Sequence, residues 1–302
     1  MTENDSPLIT IGIPTYNRAD RRLSHAINDA LSQTYKNIEV IVADNCSTDD
    51  TESLVGSISD PRLKYFRQKK NIGPSGNFNF CLEQATGKYF LLFHDDDSID
   101  RDMIELCVGA LTDSEEPGLL RCGSRIIDGD GNILREVENN ADTSSMANYL
   151  ISWLNGDTTS YFCNTLFHTE RLRESGGLRS KTDMFQDIVA ICRLSAKYPI
   201  SGIKDVKASF RRHEDNRGSN VDIINDWIED GEFLRDLAVK LAPENQKKAL
   251  EDRLNLWLYN KMYKQLKHNP KPLARGFSYL RIAGIYSQYF LLFKSLFLPR
   301  YR

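Results

Sequence analysis

The first 120 residues alternate short apolar runs with segments of helical periodicity, and this alternation constrains the fold most. Four apolar runs predict buried strands, over 8–13, 38–43, 63–66 and 89–93. Helical spacing predicts helices over 21–33, about 49–58, 77–85 and about 102–111. Strands and helices that alternate in this way are joined by right-handed crossovers in a mainly parallel sheet. The sequence therefore predicts an α/β fold in which helices flank the sheet.

Beyond residue 120 the patterns are less regular. The sequence Asp128 to Gly131 (DGDG) predicts a tight turn between two short strands within 124–137. The segments that follow predict a helix over 146–154, a strand over 160–168 and a helix over 188–196. From about residue 223 onward the pattern is helical. We therefore predict an α/β domain over 1–220 and a helical C-terminal region over 221–302.

The cysteines and the N-terminal residues indicate the cellular compartment of the protein. Six cysteines stand at 46, 81, 107, 122, 163 and 192, without any C-x-x-C pair. Several lie in apolar surroundings, which is typical of buried thiols in a reducing compartment. The first seven residues are polar and lack the apolar segment of a secretion signal. We therefore expect a cytoplasmic protein, one that does not cross a membrane.

Polar residues follow three of the predicted strands where each strand ends. The first is followed by Pro14 to Arg18 (PTYNR), the second by Asp44 to Asp49 (DNCSTD) and the fourth by His94 to Asp97 (HDDD). Ligands of open parallel sheets bind beyond the carboxyl ends of the strands, so these groups are predicted to share one site. Adjacent carboxylates repel one another, and a divalent cation makes such a cluster favourable. A solvated turn that caps the next helix is the alternative.

The same segments resemble motifs of family 2 glycosyltransferases, in the same order and at the expected separations. They are PTYNR, IEVIVADNCSTDDT and NIGPSGNFNFCLEQATGKYFLLFHDDD. The resemblance extends over residues 7–220. It implies the GT-A fold, a nucleotide-sugar donor, an inverting transfer and a divalent cation, Mn²⁺ or Mg²⁺, on the diphosphate. Residues 1–220 would then form the nucleotide-sugar-binding and catalytic domain.

The resemblance also assigns nucleotide-binding roles. The residues that it places there are Pro14, Thr15, Tyr16, Asn17, Asp44, Asn45, Asn71, Asn77, Asp95 and Asp96. Tyr16 would lie against the base, although a half-buried aromatic at a strand end is the alternative. Asn45 stands where the family usually has a second aspartate. An amide oxygen can still accept the N3–H of a pyrimidine, so the identity of the base stays open.

Two registers are open for the metal motif. Asp95 and Asp97 have the Asp-x-Asp spacing, whereas counting from Gly87 places the family's metal aspartate on Asp96 and puts His94 at its first acidic position. Downstream, FRRHEDNRGS resembles the basic segment that closes over the diphosphate. We predict Asp96, Asp97 and His213 as metal ligands, with Arg211 and Arg212 on the phosphate side.

An inverting transfer needs a base that takes the proton of the acceptor hydroxyl. The segment LRSKTDMFQDIVAICRLSAKYP resembles the family's acidic dipeptide at the start of a helix. The matching residues are Gln186 and Asp187, so Asp187 is the predicted catalytic base, with Asp183 as the second candidate. Asp187 would also serve as the N-cap of its helix, and the two roles are compatible.

The charge of the chain is asymmetric. Residues 261–302 contain nine Lys and Arg but no Asp or Glu, while the first 260 residues carry 30 basic and 42 acidic side chains. The apolar and aromatic content of 277–298 predicts a basic amphipathic helix, which would bind an anionic membrane surface through residues 275–302. Packing on the protein's own body or a homodimer interface is the alternative. The acidic body argues against nucleic acid as a partner.

These observations predict an enzyme that moves a sugar from a nucleotide diphosphate, with UDP expected, to a hydroxyl of a glycan or lipid-linked glycan. Its process would be cell-surface polysaccharide synthesis, at the inner face of the plasma membrane. Two alternatives remain open: a sugar-nucleotide pyrophosphorylase, and a non-catalytic nucleotide-sugar-binding or scaffold protein. A pyrophosphorylase would require a glycine-rich basic loop after the first strand, whereas this chain has PTYNR there.

Overall fold

A computed structural model describes residues 6–112, 115–212 and 224–267, with side chains in the last range from 225 to 261. His213, the boundary at 220 and the basic segment 275–302 lie outside the described residues. The described chain forms two compact units. The first comprises residues 6–179 and 186–212, and the second comprises 180–185 and 224–267. The proposed division at residue 220 stays a prediction.

The first unit is built on a sheet of nine strands. They are β1 (Ile9–Thr15), β2 (Ile38–Asp44), β3 (Leu63–Arg67), β4 (Tyr89–Leu92), β5 (Ser98–Ile99), β6 (Leu119–Ile127), β7 (Ile133–Val137), β8 (Thr165–His168) and β9 (Ile200–Arg211). Its helices are α1 (Arg21–Leu31), α2 (Thr51–Gly56), α3 (Gly73–Gln84), α4 (Met103–Gly109), α5 (Met146–Asn155), α6 (Thr169–Glu174) and α7 (Gln186–Ser195). These elements confirm the predicted α/β fold with a flanked sheet.

The strand order is β3-β2-β1-β4-β8-β6-β9-β5, and β7 pairs with β6. The pairs β3–β2, β2–β1 and β1–β4 are parallel, as the alternating pattern predicts. Next to β4 the direction changes, because β8 runs antiparallel to both β4 and β6. Every residue of β1, β2 and β4 is buried, which matches their continuous apolar sequences.

Helices cover both faces of the parallel half. The apolar side of α1 packs with the strands in a core that includes Ile11, Val40 and Leu91. On the other face α3 approaches β1 closely at Gly12, where a Cβ atom would meet the Cβ of Cys81 at 2.9 Å. The helix α3 begins at Gly73, four residues before its predicted start, because Pro74 fits the first turn of a helix.

One predicted element differs in kind. The segment predicted as a strand over 160–168 forms a short 3₁₀ helix, Phe162–Asn164, before β8 begins at Thr165. Arg121 of β6 explains the difference, since this fully buried side chain donates to the carbonyl oxygen of Thr159 and to the side-chain oxygens of Asn164 and Thr165. These bonds hold the segment away from an extended path.

The described part of the second unit contains two helices, α8 (Ile224–Leu241) and α9 (Glu244–Lys267), so the predicted helical character is confirmed for residues 224–267. They pack closely at Gly231, where a Cβ atom would lie 2.2 Å from Cδ2 of Leu258. Within the described residues, no helix has the combination of length and apolar character that crossing a membrane requires. All six cysteines are unpaired thiols, and five of them are buried.

Candidate active site

The loops after β1, β2 and β4 meet at one edge of the sheet. Thr15 and Asp44 are register partners at the ends of β1 and β2. The hydroxyl of Thr15 donates to Oδ2 of Asp95, 2.7 Å away, in the loop after β4. The three polar segments predicted to share a site are therefore brought together, as expected for parallel strands.

Asp44 is fully buried and organises the loop after β2. Its Oδ1 accepts hydrogen bonds from the backbone N–H and the hydroxyl of Ser47, and its Oδ2 accepts from the hydroxyl of Tyr65 at 2.6 Å. Nε of Arg67 lies 3.7 Å from the same oxygen. Both oxygens thus already have partners inside the protein, and a role of Asp44 in reading the base stays a prediction.

Asn45 links the loop after β2 to the start of α3. Its Oδ1 accepts the N–H of Ile72 at 2.8 Å, and its Nδ2 donates to Oδ1 of Asn71 at 3.0 Å. Asn71 also accepts the N–H of Gly73. An aspartate at position 45 would lack the donor to Asn71, which gives a physical reason for the departure from the family pattern.

Asn77 is almost completely buried under the end of β2. Its Nδ2 donates to the carbonyl oxygen of Ala43 at 2.7 Å, while its Oδ1 finds no hydrogen-bond partner among the described residues. The structure thus places Asn77 beneath the loops, fastening α3 to β2. A direct contact with nucleotide stays a prediction.

The loop after β1 combines an exposed ring with a strained backbone. Pro14 is buried within β1, whereas Tyr16 has 45% of its surface exposed. Asn17 has a φ of 51°, and its Oδ1 accepts the N–H of Thr48 at 2.8 Å. Because the backbone is fixed by this bond to the loop after β2, the ring of Tyr16 is presented at the surface, where it could cover a base.

A groove of about 510 Å³ lies beside these loops. The residues that line it are Tyr65, Phe66, Arg67, Gln68, Lys69, Lys70, Ile72 and Phe80. Two of them, Tyr65 and Arg67, contact Asp44. The aromatic and basic lining suits a planar, negatively charged ligand. The sequence patterns did not single out Tyr65, Arg67 or Gln68, because they lie on or directly after the edge strand β3, whose polar residues resemble ordinary surface residues.

The carboxylates after β4 have different surroundings. Asp95 is buried; besides the bond from Thr15, it lies 3.8 Å from Nε of Arg18. Burial raises the pKa of Asp95 to about 7, and the charge of Asp96 adds to the effect while the bond from Thr15 opposes it. Arg18 closes the PTYNR motif but was not among the predicted site residues.

Asp97 is the most buried of the three carboxylates. Its Oδ1 accepts the backbone N–H of Arg211 at 2.9 Å, and it also accepts a hydrogen bond from the thiol of Cys163. Burial and the charge of Asp96 raise the pKa of Asp97 well above its usual range. A desolvated pair of neighbouring carboxylates is destabilised unless it binds protons or a cation.

His94, Asp96 and Asp97 form a group that fits a metal ion. One ligand atom from each can be chosen so that all three lie within 4.8 Å of one another. Burial lowers the pKa of His94, so the ring is neutral, which is the form that coordinates metals. Its Nε2 is buried without a hydrogen-bond partner among the described residues. These observations favour the register in which His94 and Asp96 are used, and the ligand set stays a proposal.

The two predicted phosphate-side arginines lie at the end of β9. The guanidinium of Arg211 donates to the backbone carbonyl oxygens of Asp96 at 2.8 Å and Asp128 at 3.0 Å. Arg211 therefore braces the loop of the carboxylate cluster from both its backbone and its side chain. Arg212 is exposed, and its N–H donates to the carbonyl oxygen of Ile127.

Asp187 lies in the first turn of α7 and is half-buried. Since α7 begins at Gln186, Asp187 is the second residue of the helix, and the prediction that it is the N-cap is wrong; its Oδ1 accepts the N–H of the next residue, Ile188, at 2.7 Å. Burial raises the pKa of Tyr161 to about 12, and the charges of Cys163, Asp187 and Asp97 add to that effect. Because electrostatic effects weaken with distance, Asp187 and the carboxylate cluster both lie in the neighbourhood of Tyr161 within the first unit.

The sequence did not identify the aromatic residues around the cluster. The ring of His94 lies 5.1 Å from that of Phe78 and 5.6 Å from that of Phe162, centroid to centroid. Tyr161 stacks on Phe210 at 4.2 Å. These rings come from α3, the 3₁₀ segment and β9, so no local motif could have grouped them.

Comparison with known proteins shows the family to which the chain belongs. The family model described as glycosyl transferase family 2 matches residues 10–168, which contain every loop discussed above except those of α7 and β9. The chain belongs to glycosyltransferase family 2. The pyrophosphorylase and scaffold alternatives are not favoured by this assignment.

Relatives with names are similar to this glycosyltransferase over part of their length. A GalNAc(5)-diNAcBac-PP-undecaprenol beta-1,3-glucosyltransferase of Campylobacter jejuni is 30% identical over 177 residues, which are 56% of this chain and 55% of the relative. The succinoglycan biosynthesis protein ExoO of Rhizobium meliloti is 36% identical over 98 residues, covering 32% of this chain and 28% of the relative. The chain thus spans about half or less of these relatives.

Solved structures support the GT-A fold. TarS of S. aureus, residues 1–349, superposes with a TM-score of 0.71 at 17% identity, covering 93% of this chain and 80% of that one. The mannosyltransferase PcManGT from Pyrobaculum calidifontis, in complex with GDP-Man and Mn²⁺, has a TM-score of 0.55 at 19% identity, covering 95% and 83%. The predicted GT-A architecture with C-terminal helices is confirmed.

Proposed function

We propose that this glycosyltransferase transfers a sugar from a nucleotide diphosphate to a hydroxyl of a lipid-linked glycan, with inversion at the anomeric carbon. The observation that carries the proposal is the convergence of the His94, Asp96 and Asp97 group with the loops after β1 and β2 at one edge of the sheet. The charges of Asp97 and Asp187 both raise the pKa of Tyr161. This supports the proposal that the candidate base lies in the same region as the carboxylate cluster.

On the donor side, Tyr16 and the groove beside Asp44 would hold the base. We infer UDP as the nucleotide because Oδ1 of Asn45, which accepts the N–H of Ile72, has a second lone pair that can accept the N3–H of a pyrimidine, and because a TarS structure in complex with UDP has the same fold, with a TM-score of 0.59. GDP is the competing donor, since PcManGT binds GDP-Man. The base is therefore part of the test.

The group of His94, Asp96 and Asp97 would hold a divalent cation. His94 and Asp96 would hold it, with Asp97 beside them; when bound, it neutralises the charge that develops on the leaving diphosphate. A nitrogen ligand suits Mn²⁺ better than Mg²⁺, which prefers oxygen ligands. We therefore expect Mn²⁺ to support activity better than Mg²⁺.

On the acceptor side, Asp187 takes the proton. The acceptor hydroxyl oxygen forms a bond to the anomeric carbon while the bond from that carbon to the diphosphate oxygen breaks, and the hydroxyl proton passes to the carboxylate of Asp187. A single displacement inverts the anomeric centre and needs no carboxylate nucleophile. The lipid-linked acceptor is inferred from the Campylobacter jejuni relative, whose name includes PP-undecaprenol.

The proposal is tested with a panel of UDP- and GDP-sugars, each with Mn²⁺, Mg²⁺ or EDTA. Release of the nucleoside diphosphate by slow hydrolysis is measured, so that no acceptor is required. We expect one nucleotide class to be turned over, Mn²⁺ to exceed Mg²⁺ and EDTA to abolish release. Equal release in EDTA would exclude the metal, and release from GDP-sugars alone would exclude the uridine donor.

A further inference from the structure

A buried carboxylate in the second unit holds the segment that leads to Asp187. Asp230 of α8 has no exposed surface. It accepts five hydrogen bonds from a single irregular segment: from the hydroxyl of Ser180 at 2.6 Å and from the N–H groups of Lys181 at 2.6 Å, Thr182 at 3.1 Å, Met184 at 2.7 Å and Phe185 at 2.7 Å. One side chain thus accepts from four of the six backbone N–H groups of residues 180–185 and from the hydroxyl of Ser180.

The segment 180–185 has no regular structure that would fix it by itself. Asp183, in its middle, has a φ of 61°, which is unfavourable for a residue with a side chain. Backbone N–H groups that lack partners in a helix or sheet must be satisfied elsewhere. Asp230 supplies those acceptors, and the bonds in turn satisfy a carboxylate that would be costly to bury alone.

Aromatic contacts hold the end of the same segment. The ring of Phe185 lies 4.8 Å from that of Trp227 in α8 and 5.3 Å from that of Trp257 in α9. The ammonium of Lys261 lies over all three rings, closest to Trp227 at 3.7 Å. Both helices of the second unit therefore fix Phe185, by contacts that do not depend on Asp230.

The anchored segment is joined to the candidate base by the chain itself. Phe185 is followed by Gln186 and Asp187, and successive Cα atoms are about 3.8 Å apart. The Cα of Asp187 therefore lies within about 7.6 Å of an anchored residue. Gln186 is buried, and its side chain donates to the carbonyl oxygen of Leu178 at 2.8 Å, which limits the freedom of the link.

We propose that Asp230 is a positioning residue for the transfer reaction: by ordering residues 180–185 it fixes where α7 begins and so where the carboxylate of Asp187 stands. This inference rests on the proposed role of Asp187. It gives the C-terminal helices a part in the chemistry, because the group that orders the segment comes from α8. A displacement of about 1 Å in a catalytic group can reduce turnover about 100-fold.

The test compares Asp230→Asn with Asp236→Asn. Asp236 lies on the same helix but is exposed, and its ion pair is with its neighbour Arg235. In Asp230→Asn the amide group turns a donor toward N–H groups that need an acceptor. We expect hydrogen exchange of peptide 180–185 to accelerate at least about 10-fold, kcat for transfer to fall at least about 10-fold and donor KM to stay within about threefold. Asp236→Asn should match the wild type in all three.

Ser180→Ala removes only one of the five bonds and keeps the carboxylate, so it tests the proposal if Asp230→Asn fails to fold. It should accelerate exchange in 180–185 and lower kcat in the same sense, by a smaller factor. The proposal is overturned if the folded variants exchange at the wild-type rate, or if kcat falls without faster exchange. If exchange accelerates but Asp187→Asn remains fully active, the anchoring stands and the assignment of Asp187 as base is what fails.

Discussion

The hydroxyl of Thr15 donates a hydrogen bond to the carboxylate of Asp95 across 2.7 Å, and this contact joins the end of β1 to the loop after β4. Asp97, two residues on, accepts the N–H of Arg211. The outer two of the three carboxylates are thus held by the protein, and Asp96 between them is the least buried. This division gives each aspartate a different expected phenotype.

Asp96→Ala should remove the main carboxylate ligand of the cation. We expect affinity for Mn²⁺, measured by calorimetry, to fall at least about 10-fold and nucleoside diphosphate release to be lost. Asp130→Ala, in the exposed turn between β6 and β7, is the matched control and should bind Mn²⁺ normally. Unchanged Mn²⁺ affinity in Asp96→Ala would show that the ion is held elsewhere.

Asp187→Asn should separate chemistry from donor binding. The substitution is nearly isosteric and removes the proton acceptor while leaving the loops after β1, β2 and β4 untouched. We expect donor affinity within a few-fold of the wild type and transfer reduced by about 10² or more. If transfer persists at the wild-type rate, Asp183 becomes the candidate base, and Asp183→Asn should then show the loss.

Glu39 makes the stability of the sheet depend on pH. Burial alone would raise the pKa of Glu39, but the hydrogen bonds from Lys64, Thr10 and Thr86 outweigh it and lower the pKa to about 2. Because this value lies below the ordinary 4.5, the stabilisation is present above about pH 5 and is lost as the pH falls toward 2.

Glu39→Gln should therefore lower the free energy of unfolding at pH 7 by about 1–3 kcal/mol, since buried donors lose a charged acceptor. Urea unfolding at pH 7 and at pH 3.5 measures the effect, and the difference from the wild type should shrink at the lower pH. A difference that is equal at both pH values would mean that the ionised form of Glu39 is not what stabilises the sheet.

Arg121 is fully buried among neutral oxygen atoms, and it supports the segment 159–165 that contains the 3₁₀ helix. Replacing it with Met leaves the acceptors of Thr159, Asn164 and Thr165 without their donor, so we expect a loss of about 3–5 kcal/mol in unfolding free energy. Arg135→Met, exposed on β7, should change stability little. Chemical denaturation measures both, and similar stabilities would contradict the role of Arg121.

The basic segment 275–302 keeps its own prediction. The segment contains Lys and Arg residues but no acidic residues. We therefore expect the full chain to co-sediment with anionic liposomes and to dissociate from them in high salt. Removal of 275–302 should abolish sedimentation and spare donor hydrolysis. Sedimentation that is equal with neutral liposomes would argue against the electrostatic attraction, and loss of folding on truncation would assign the segment to the protein's own core.

The parallel half of the fold could be predicted because its signals are local. The strands beginning at Ile38, Leu63 and Tyr89 start where the apolar runs start, and the polar residues that follow them reach the same edge by geometry alone. The tight turn at Asp128 was also predicted, since Asp and Gly favour it.

The remainder depended on contacts between distant residues. The different surroundings of Asp95, Asp96 and Asp97 depend on Thr15 and on the backbone N–H of Arg211, which the sequence of the loop does not contain. The apolar pattern after Thr159 predicts a strand, because it carries no sign of the contacts that the buried Arg121 makes with this segment. The anchoring by Asp230 was missed because a polar residue on an amphipathic helix looks like surface.

The order of the strands also has a consequence for the newly made chain. The segment after β4, which carries the carboxylate cluster, continues into β5, and Ser98 of β5 pairs with Ser209 of β9. Tyr89 of β4 likewise pairs with His168 of β8, which is synthesised later. The loop that carries the carboxylate cluster is therefore synthesised well before β8 and β9, the later partners of β4 and β5, so one edge of β4 stays unpaired while the ribosome completes the second half. Pairings of such long sequence separation form slowly, and during that interval the unpaired edge of β4 exposes backbone N–H and C=O groups that favour aggregation.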